Sequence, residues 1–518
     1  MSHKPPIIWS IAGLDSGGGA GLSADQRAAD AAGVHLCPVA AALTAQNSVA
    51  VEAVFPVPPE QLDAQLAALA SDLPPAAIKT GLLGGVEQLR VVTQWVDRLR
   101  ERAPVALVVD PVLRASTGAS LADDALLNAY REELLPRASV VTPNRREASR
   151  LVGEAGVAAQ ARALLALDAG AVCITGGDEA GPLALDWLAC EHVTAWLALP
   201  RRDAHNNHGT GCTFATGLAA ALARGFVAAD AAVIAKMLTT SGLRADAQAS
   251  GGGAGPVLPQ PGFIRDAGLL PALFDGDAPP RAWPLPCRGP TSVDGVYGIT
   301  DSGPHAGQLF DAGLQTVQLR VKRRVAEDEA GWQTRLHAHV AAARRPRGTL
   351  ILNDHWREAL AVGVDFIHLG QEDLLALSAS ERRELAEARE RGLRLGLSSH
   401  SLWELARAKA WSPDYIACGP IWPTLTKAMP WWPQGLGNLA WWVAMAPAPV
   451  VGIGGVSEPS QLAEIAACGA RAGCVVRGLA RGTAHGPQAW QQAWAEGRDA
   501  APIAAPSWPS ATLPVNPW

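Results

Sequence analysis

The sequence lacks the features of several large protein classes. Its 43 lysine and arginine residues are balanced by 49 aspartate and glutamate residues, for a net charge of −6, and no stretch concentrates basic residues. This balance argues against nucleic acid as the main partner. No run approaches the roughly 20 apolar residues of a membrane-spanning helix. The N-terminal run "IIWSIAGL" has no signal-peptide cleavage site and stops at Asp15. We therefore expect neither a nucleic-acid nor a membrane partner.

Cysteine is sparse, and its pattern excludes a disulfide framework or a C-x-x-C redox motif. Eight cysteines are scattered over 518 residues. Several lie in strand-like apolar runs, where a reduced cysteine packs as a small hydrophobic residue. We interpret most of them as core residues of a protein in a reducing cytoplasm. Cys212 differs, because it lies between a glycine-rich turn and an alanine-rich helical run.

The chain also lacks the Walker sequence G-x-x-x-x-G-K-[ST] and a well-placed G-x-G-x-x-G. Two other glycine-rich stretches are present, "GLDSGGGAGLSAD" and "NNHGTGCTF". The second opens a helix, whose first N–H groups and dipole can bind a phosphoryl group. Taken alone, each stretch is equally well explained as a structural turn.

Composition shifts divide the chain. From residue 251 to residue 290, glycine and proline dominate and hydrophobic periodicity is lost, which indicates a domain boundary. We predict one domain over residues 1–265, a linker over 266–290 and a second domain over 291–495. The proline-rich residues 496–518 are expected to form a loose tail.

The first half predicts a doubly wound α/β domain. Its strand candidates are nearly continuous apolar runs with helical patterns between most of them, as in a parallel sheet buried on both faces. They are "IIWSIAG", "AAIKTGLL", "VALVVDPVL", "SVVTPN" and "AVCITGG".

The second half predicts a closed (β/α)₈ TIM barrel, because eight short strand candidates alternate with helical spacers. They are "VYGITD", "TVQLRV", "TLILND", "DFIHLG", "LRLGLSSH", "YIACGPI", "VVGIGG" and "GCVVRG". Barrel chemistry is expected at the C-terminal ends of the strands. The chemically capable residues there are Asp301, Arg320, Lys322, Asn353, Asp354, Asp373, Ser398, Thr424 to Lys427, Gly454 and Gly455.

These strand-end residues suggest a reaction. Arg320, Lys322 and Lys427 could converge on a polyanion, and Asp354 with Asp373 offers oxygen ligands suited to Mg²⁺. The late glycine turns occupy the position where many barrels bind a phosphate. The combination favours joining two phosphorylated substrates with loss of pyrophosphate. Two alternatives stay open: the cations could be a solvated pair, and Asp354 could cap the helix that follows.

The order of motifs in the first half resembles that of hydroxymethylpyrimidine/phosphomethylpyrimidine kinases of the ribokinase-like superfamily, over about residues 5–265. The motifs are "AGLDSGGGAGLSAD", "ALTAQN", "IKTGLL", "VVDPVL", "VTPNRREA" and "NNHGTGCTF". The resemblance implies a pyrimidine site, a Mg²⁺–ATP site and an anion hole. Gln46 and Asp25 would hold the pyrimidine, Asp110 would help organise Mg²⁺ and ATP, and Asn144 and Glu147 would lie near the nucleotide and metal. The anion hole would comprise Gly209, Thr210, Gly211 and Cys212.

The same resemblance suggests a role for Cys212, since most ribokinase-like enzymes have an aspartate base at this position. A thiol at a helix N-terminus is biased toward thiolate. It could accept the proton of the hydroxymethyl group as the oxygen attacks the γ-phosphate. The alternative is a small residue chosen for close helix packing. Thr175 departs from the family pattern, because many relatives carry lysine there.

The second half resembles thiamine phosphate synthase over about residues 293–485. The motifs "QLRVK", "LND", "HLGQEDL", "GLSSH", "GPIWPTLTK", "VGIGGV" and "GCVVRG" occur in family order. The resemblance implies that Asp354 and Asp373 ligate Mg²⁺ and that Gln318 contacts the pyrimidine. Arg477 replaces a serine common in relatives. The pyrophosphate would be held by Arg320, Lys322, Asn353, Ser398 and Lys427, and the thiazole phosphate by Thr424, Thr426, Gly455 and the amides of Val476 and Arg477.

Together the two resemblances predict a bifunctional enzyme of thiamine biosynthesis that acts on small-molecule substrates. One alternative is a pyridoxal-type kinase fused to a thiazole-tautomerase-like barrel; another makes one half a ligand sensor. The sequence leaves a homo-oligomer open. His368 is interpreted as a hydrogen-bonded core histidine. The tryptophan-rich residues 427–442 are read as barrel packing, with a lid or an interface as the alternative.

Overall fold

The computed structural model describes residues 4–113, 122–177, 179–243, 251–285, 292–424, 430–480 and 482–515. The chain divides into two compact units. The first contains residues up to Trp283 together with a short stretch from Leu513, and the second runs from Pro284 to Thr512. No helix in these described ranges is both long and apolar enough to cross a membrane.

The first unit is built on a ten-stranded sheet of order β10-β9-β8-β7-β6-β5-β4-β1-β2-β3. The strands from β2 to β7 in this order pair in parallel, and antiparallel strands flank them on both sides. The strands are β1 (Ile7–Asp15), β2 (His35–Gln46), β3 (Val51–Pro56), β4 (Ala77–Thr80), β5 (Ala106–Val109), β6 (Val140–Val141), β7 (Val172–Thr175), β8 (Leu183–Ala189), β9 (Thr194–Pro200) and β10 (Ala272–Asp275).

The helices of this unit follow the strands, as expected for a doubly wound fold. They are α1 (Gly21–Ala32), α2 (Pro59–Asp72), α3 (Val86–Arg100), α4 (Asp124–Ala129), α5 (Arg145–Val152), α6 (Val157–Leu165), α7 (Thr210–Ala223) and α8 (Ala228–Ser241). Strand order reverses between β1 and β4, and in such sheets ligands bind beyond the carboxyl ends of the strands at this point. Helix α7 packs on β1, β4 and β5, so its N-terminus lies near that position.

The second unit is a closed barrel of eight parallel strands in sequence order, as the sequence predicts. Aromatic and β-branched residues fill its interior. The strands are β11 (Gly295–Thr300), β12 (Thr316–Leu319), β13 (Thr349–Asn353), β14 (Phe366–Leu369), β15 (Arg394–Ser399), β16 (Tyr415–Cys418), β17 (Val450–Gly452) and β18 (Ala472–Val475).

Helices surround this barrel. They are α9 (Gly303–Asp311), α10 (Glu329–Ala343), α11 (Trp356–Ala361), α12 (Gln371–Ala376), α13 (Ala379–Glu390), α14 (Leu402–Trp411), α15 (Gly435–Met445), α16 (Pro459–Ala467) and α17 (Pro487–Asp499).

The structure differs from the sequence-based boundaries in two places. Strand β10 lies inside the stretch expected to be linker, where it pairs with β9. This proline-rich stretch contains one short apolar run, which forms the strand. The segment after α17 is also held against the barrel unit: the Ile503 N–H donates to the carbonyl of Ala467, and Asn438 exchanges two hydrogen bonds with the backbone of Ser510. The part of the expected tail that belongs to this unit is therefore held by hydrogen bonds to its backbone.

Candidate active sites

The first glycine-rich loop of the first unit is organised by Asp15, at the end of β1. Its carboxylate accepts the N–H groups of Gly17, Gly19 and Ala20 at 2.8–3.0 Å. Burial raises the pKa of Asp15, but the hydrogen bonds from His208, Ala20 and Gly17 outweigh burial and hold it below its usual value. Asp15 is thus an ionised anchor for the loop.

The second glycine-rich loop meets the first at Gly209. This residue has φ +88°, and a Cβ placed on it would lie 2.5 Å from the carbonyl oxygen of Gly19. Only glycine allows this approach of the two loops. Thr210, Gly211 and Cys212 form the first turn of α7, where N–H groups have no partner within the helix. An open helix N-terminus therefore lies where the anion hole is expected, and its anion-binding role stays a prediction.

Two side chains line the same region. The amide nitrogen of Gln46, at the end of β2, lies 3.3 Å from His208 Nε2. The same ring nitrogen lies 3.4 Å from an Asp15 carboxylate oxygen. The sequence predicts Gln46 for this site but not His208, whose only sequence signal is its position directly before Gly209.

Asp25 does not occupy the position expected of a residue that contacts the pyrimidine. Its side chain is fully buried on α1. Its carboxylate accepts hydrogen bonds from Ser10 at 2.6 Å, Lys79 at 3.0 Å and Thr216 at 2.8 Å. Because these buried donors already satisfy both oxygens, the expectation that Asp25 holds the substrate directly is corrected.

Lys79 joins two carboxylates beneath the helix start. It is fully buried on β4, and its Nζ lies 3.9 Å from an oxygen of Asp110, which follows β5. A Cβ on Gly211 would lie 4.0 Å from the same oxygen, so Asp110 is next to the first turn of α7. Burial raises the pKa of Asp110 to about 6, with Lys79 opposing this shift and Asp25 adding to it. Two buried carboxylates share one lysine, and this excess of negative charge suits a further cation.

The thiol of Cys212 is half-buried in this cluster. Burial raises its pKa to about 12; Lys79 lowers it, whereas Asp25 and Asp110 raise it further. This differs from the expectation of a thiolate favoured by the helix N-terminus. Desolvation and two neighbouring carboxylates outweigh the nearby lysine, so the thiol is protonated at neutral pH.

Asn144 and Glu147 form a capping box at the start of α5. The Glu147 N–H donates to the Asn144 side chain and the Asn144 N–H donates to the Glu147 carboxylate, both at 2.9 Å. These contacts satisfy the helix start. Helix capping therefore explains the "TPN…E" spacing. A role of Asn144 and Glu147 near the nucleotide stays a prediction.

In the second unit, the described candidate residues lie at the C-terminal ends of the barrel strands or in the loops that follow. Gln318 lies on β12, and Arg320 and Lys322 follow that strand. Thr426 and Lys427 lie outside the described residues. The remaining candidates at this end are Asn353, Asp354, Asp373, Ser398, Thr424, Gly455, Val476 and Arg477.

Asp354 is held in an unusual backbone conformation. Its φ is +65°, and its N–H donates to the carbonyl of His368 at 2.9 Å. Non-glycine residues in the left-handed region concentrate at functional sites. Asp373, in the first turn of α12, also accepts the N–H of Gly370 at 2.8 Å. The Asp354 and Asp373 carboxyl groups are close enough to interact electrostatically.

The electrostatics of this pair fit a divalent cation. Burial and the neighbouring Asp373 raise the pKa of Asp354 to about 6, although Arg320 lowers it. Within the described ranges, no group of three or more histidine, cysteine, aspartate or glutamate side chains could hold a metal. Two carboxylates are the set that Mg²⁺ uses when substrate phosphates supply further oxygens. A cavity of about 530 Å³ lies beside the pair.

A chain of buried polar side chains crosses the barrel interior. The Gln318 amide lies 3.0 Å from the hydroxyl of Tyr297, which lies 2.8 Å from that of Tyr415. Tyr415 lies 2.7 Å from His368 Nδ1, and His368 Nε2 lies 3.0 Å from Ser398 Oγ. The structure confirms that His368 is a hydrogen-bonded core residue. Burial, Arg320 and His400 lower its pKa to about 3, so the ring is neutral.

The glycine turn after β17 is close to the loop after β16. Gly455 has φ +77°, and a Cβ on it would lie 2.7 Å from the carbonyl oxygen of Trp422. After β18, Val476 and Arg477 are exposed at the start of a short 3₁₀ turn, Arg477–Leu479. Their position matches the expected phosphate-binding end of the barrel.

Comparisons with known proteins agree with this geometry. The family model described as phosphomethylpyrimidine kinase matches residues 15–258, and that described as thiamine monophosphate synthase matches residues 296–479. A protein of Oryza sativa subsp. japonica named "Probable thiamine biosynthetic bifunctional enzyme, chloroplastic" is 32% identical over 476 residues, which are 87% of this chain and 81% of the rice protein. This chain belongs to the family of bifunctional thiamine biosynthetic enzymes.

Single-domain relatives match each half of this bifunctional enzyme. The hydroxymethylpyrimidine/phosphomethylpyrimidine kinase of Rhizobium meliloti is 40% identical over 258 residues, covering 48% of this chain and 96% of that protein. The thiamine-phosphate synthase of Rhizobium etli is 44% identical over 166 residues, covering 32% of this chain and 77% of that protein. The chain is thus a fusion of a phosphomethylpyrimidine kinase domain with a thiamine-phosphate synthase barrel.

The tryptophan-rich segment of the synthase domain is mostly packing in its described part. Trp441 and Trp442 on α15 are buried. Trp431 stacks on His400, with ring centroids 5.3 Å apart, and Trp432 is half exposed. The interpretation as barrel packing therefore holds for most of these side chains, while residues 427–429 lie outside the described ranges.

Proposed function

We propose that the kinase domain uses ATP to phosphorylate hydroxymethylpyrimidine and then its monophosphate. The synthase domain then joins the diphosphate to thiazole phosphate, giving thiamine phosphate and pyrophosphate. The first domain would make the substrate of the second, which explains why the two are fused.

In the kinase domain, the first turn of α7 would bind the transferring phosphoryl group through its N–H groups. Gln46 and His208, 3.3 Å apart, would hold the pyrimidine beside it. Asp110 would help to hold Mg²⁺ with ATP, and the bound cation would supply positive charge beside the phosphates. Asn144 and Glu147 would support this site from α5.

Cys212 would accept the proton of the substrate hydroxyl as the new O–P bond forms. Its high pKa in the free enzyme is partly due to Asp110. Positive charge bound at Asp110 would reduce that repulsion, while Lys79 continues to favour the thiolate. Proton acceptance therefore becomes easier when the nucleotide site is filled.

In the synthase domain, Arg320, Lys322, Asn353, Ser398 and Lys427 would stabilise the leaving pyrophosphate. Asp354 and Asp373 would hold Mg²⁺, which supplies charge for the pyrophosphate oxygens. Gln318 would orient the pyrimidine. Charge stabilisation and alignment are the main requirements of such a reaction. The thiazole phosphate would be bound by Thr424, Thr426, Gly455 and the amides of Val476 and Arg477.

One observation favours this function over the alternatives: Asp354, in its left-handed conformation, is paired with Asp373 beside Arg320. A thiazole tautomerase or a ligand sensor has no need of a site for a metal and a pyrophosphate. The two neighbouring carboxylates destabilise the fold unless a bound cation neutralises them. This destabilisation supports a catalytic role for the pair.

The test is to incubate the full chain with hydroxymethylpyrimidine, thiazole phosphate, ATP and Mg²⁺ and to measure thiamine phosphate. A second arm replaces the pyrimidine and ATP with the diphosphate, which isolates the barrel reaction. Formation of thiamine phosphate in both arms supports the proposal. Pyridoxal phosphorylation in place of hydroxymethylpyrimidine phosphorylation would favour the pyridoxal-type alternative.

We also propose a cytoplasmic location. The seven cysteines in the described part of the chain are free, and five of them are buried, as in a reducing compartment. Fractionation of the producing cell tests this.

A further inference from the structure

Two of the chain's three tyrosines lie in the polar chain inside the synthase barrel. Tyr297 and Tyr415 are fully enclosed, and His368 is buried between Tyr415 and Ser398. Burying so many polar groups is costly unless each is hydrogen-bonded in a consistent direction. A purely apolar barrel interior would avoid this cost, so the network calls for an explanation.

The direction of the hydrogen bonds can be derived from the two ends of the network. A diphosphate offers only acceptor oxygens at neutral pH, so a hydroxyl that binds it must donate. If Ser398 donates outward, its oxygen can accept the Nε2–H of His368. His368 Nδ1 then has no proton and must accept the hydroxyl proton of Tyr415.

The same direction continues to the other end. Tyr415 accepts from the Tyr297 hydroxyl, and Tyr297 accepts from the Gln318 amide N–H, a group that cannot accept. Burial raises the pKa of both tyrosines well above the usual range, so both hydroxyls keep their protons. In the reverse direction Ser398 would present lone pairs to the diphosphate and repel it.

We infer that Tyr297, Tyr415 and His368 are positioning residues, which orient the Ser398 hydroxyl as a hydrogen-bond donor toward the departing diphosphate. The inference rests on the proposed function of the barrel. The inference adds that Gln318, the residue expected to contact the pyrimidine, sets the orientation of the Ser398 hydroxyl through a single line of hydrogen bonds. The Gln371 amide, which donates to the Ser398 carbonyl at 2.7 Å, fixes the backbone of the same residue.

The first experiment measures the histidine tautomer and does not depend on activity. The full chain is prepared with histidine labelled at both ring nitrogens, and the His368 signal is assigned by its loss in His368→Gln. The proposal requires that Nε2 carries the proton at neutral pH. A proton on Nδ1, with the diphosphate present, overturns it.

The second experiment separates orientation from general stability. Tyr415→Phe removes the hydroxyl that donates to His368, which frees the ring to adopt the other tautomer. We expect kcat for coupling, with supplied diphosphate, to fall about tenfold, the equivalent of one hydrogen bond. KM for the diphosphate should change by less than about twofold if ground-state binding is retained.

Two further variants complete this test. Tyr297 lies one hydrogen bond further from Ser398 than Tyr415 does. Tyr297→Phe should therefore lower kcat by less than Tyr415→Phe. Tyr130→Phe is the matched control: it removes a buried tyrosine hydroxyl from the kinase domain and should leave coupling unchanged. Unchanged kcat in Tyr415→Phe overturns the inference. A rise in KM for the diphosphate as large as the fall in kcat also overturns it. Failure of coupling in the unsubstituted chain would instead refute the proposed function. The tautomer measurement would still test the direction of the hydrogen bonds in the network.

Discussion

Cys212 shows how strongly the surroundings of one residue control its chemistry. At the start of a helix its thiol could be a ready thiolate, but burial beside Asp25 and Asp110 raises its pKa to about 12. If Cys212 is the base, kcat for phosphorylation should still increase with pH above neutrality, because deprotonation of the thiol then limits the reaction. A flat profile above neutral pH would contradict this assignment.

Substitution of the thiol gives a second measurement at the same residue. Cys212→Ser should retain binding of ATP and the pyrimidine, but phosphoryl transfer should fall about a hundredfold, the usual contribution of a positioned base. Cys190→Ser, at another half-buried cysteine of the kinase domain, is the control. Near-normal turnover of Cys212→Ser, measured by ADP release, would exclude the base role.

Lys79 is predicted to be a structural necessity for the kinase site. It is buried between Asp25 and Asp110, so Lys79→Met leaves uncompensated carboxylates inside the domain. Breaking a buried ion pair from one side costs about 3–5 kcal/mol. Urea unfolding followed in the kinase domain should show this loss, and Lys79→Met with Asp25→Asn should recover much of it. A loss in the single variant no greater than in the double variant would contradict the pairing.

Asp354 is predicted to lower the free energy of unfolding of the barrel, because its carboxylate is placed to bind Mg²⁺ rather than to stabilise the fold. Its pKa of about 6 in the fold exceeds the usual value, so the ionised form is disfavoured in the fold. The penalty is present above about pH 6 and disappears below about pH 4, where the carboxyl is protonated in both folded and unfolded states. Asparagine tolerates the same left-handed backbone.

Asp354→Asn should therefore raise the thermal midpoint of the barrel without Mg²⁺ by about 2 °C at neutral pH, equivalent to about 1 kcal/mol. The gain should vanish near pH 4. Scanning calorimetry at the two pH values measures this difference. A gain that is independent of pH would show that charge repulsion is not its cause.

At the scale of secondary-structure elements, the start of α7 depends on contact with the first glycine-rich loop. Gly209→Ala would place a methyl group 2.5 Å from the carbonyl oxygen of Gly19, whereas Gly225→Ala, past the other end of the same helix, would meet nothing within 4 Å. Both glycines have a positive φ, so both variants carry a backbone cost of about 1–2 kcal/mol.

Only Gly209→Ala should displace the first turn of α7, which is the proposed anion hole. We expect its kcat/KM for phosphorylation to fall at least about tenfold below that of Gly225→Ala, since a small displacement of reacting groups has large effects on rate. Equal activities in the two variants, assayed at matched stability, would show that the two loops need not be in contact.

Elements differed in how well the sequence predicted them. All eight barrel strands were recognised, because each is a short apolar run that ends in glycine or polar residues and is followed by a helical spacer. In the kinase domain β2, β3, β8, β9 and β10 were missed. No helix separates β2 from β3, or β7 from β8 and β9, so the βαβ rhythm that identifies parallel strands is absent there.

At the scale of the whole molecule, we predict that the two reactions run independently. In the full chain, Cys212→Ser should still couple supplied diphosphate to thiazole phosphate at the normal rate. Asp354→Asn should still convert hydroxymethylpyrimidine to the diphosphate, which should accumulate. Chromatographic assay of diphosphate and thiamine phosphate measures both. Loss of kinase activity in Asp354→Asn would contradict independence.

The sequence by itself determined the two fold classes, the family of each half and the loops that carry chemistry. These follow from local information: strand periodicity, glycine spacing and the order of motifs along the chain. Even the histidine in "FIHLG" could be placed in the core, because its neighbours are apolar.

Only the tertiary structure decided which polar groups face each other. It directed Asp25 to Lys79, paired Asp354 with Asp373, and joined Tyr297, Tyr415 and His368 into one line. These partners are dozens of residues apart in the chain, or lie on separate strands and helices, and no local pattern encodes their distance. The pKa of Cys212 was misjudged for the same reason, since desolvation depends on what packs around a group rather than on the residues beside it in sequence.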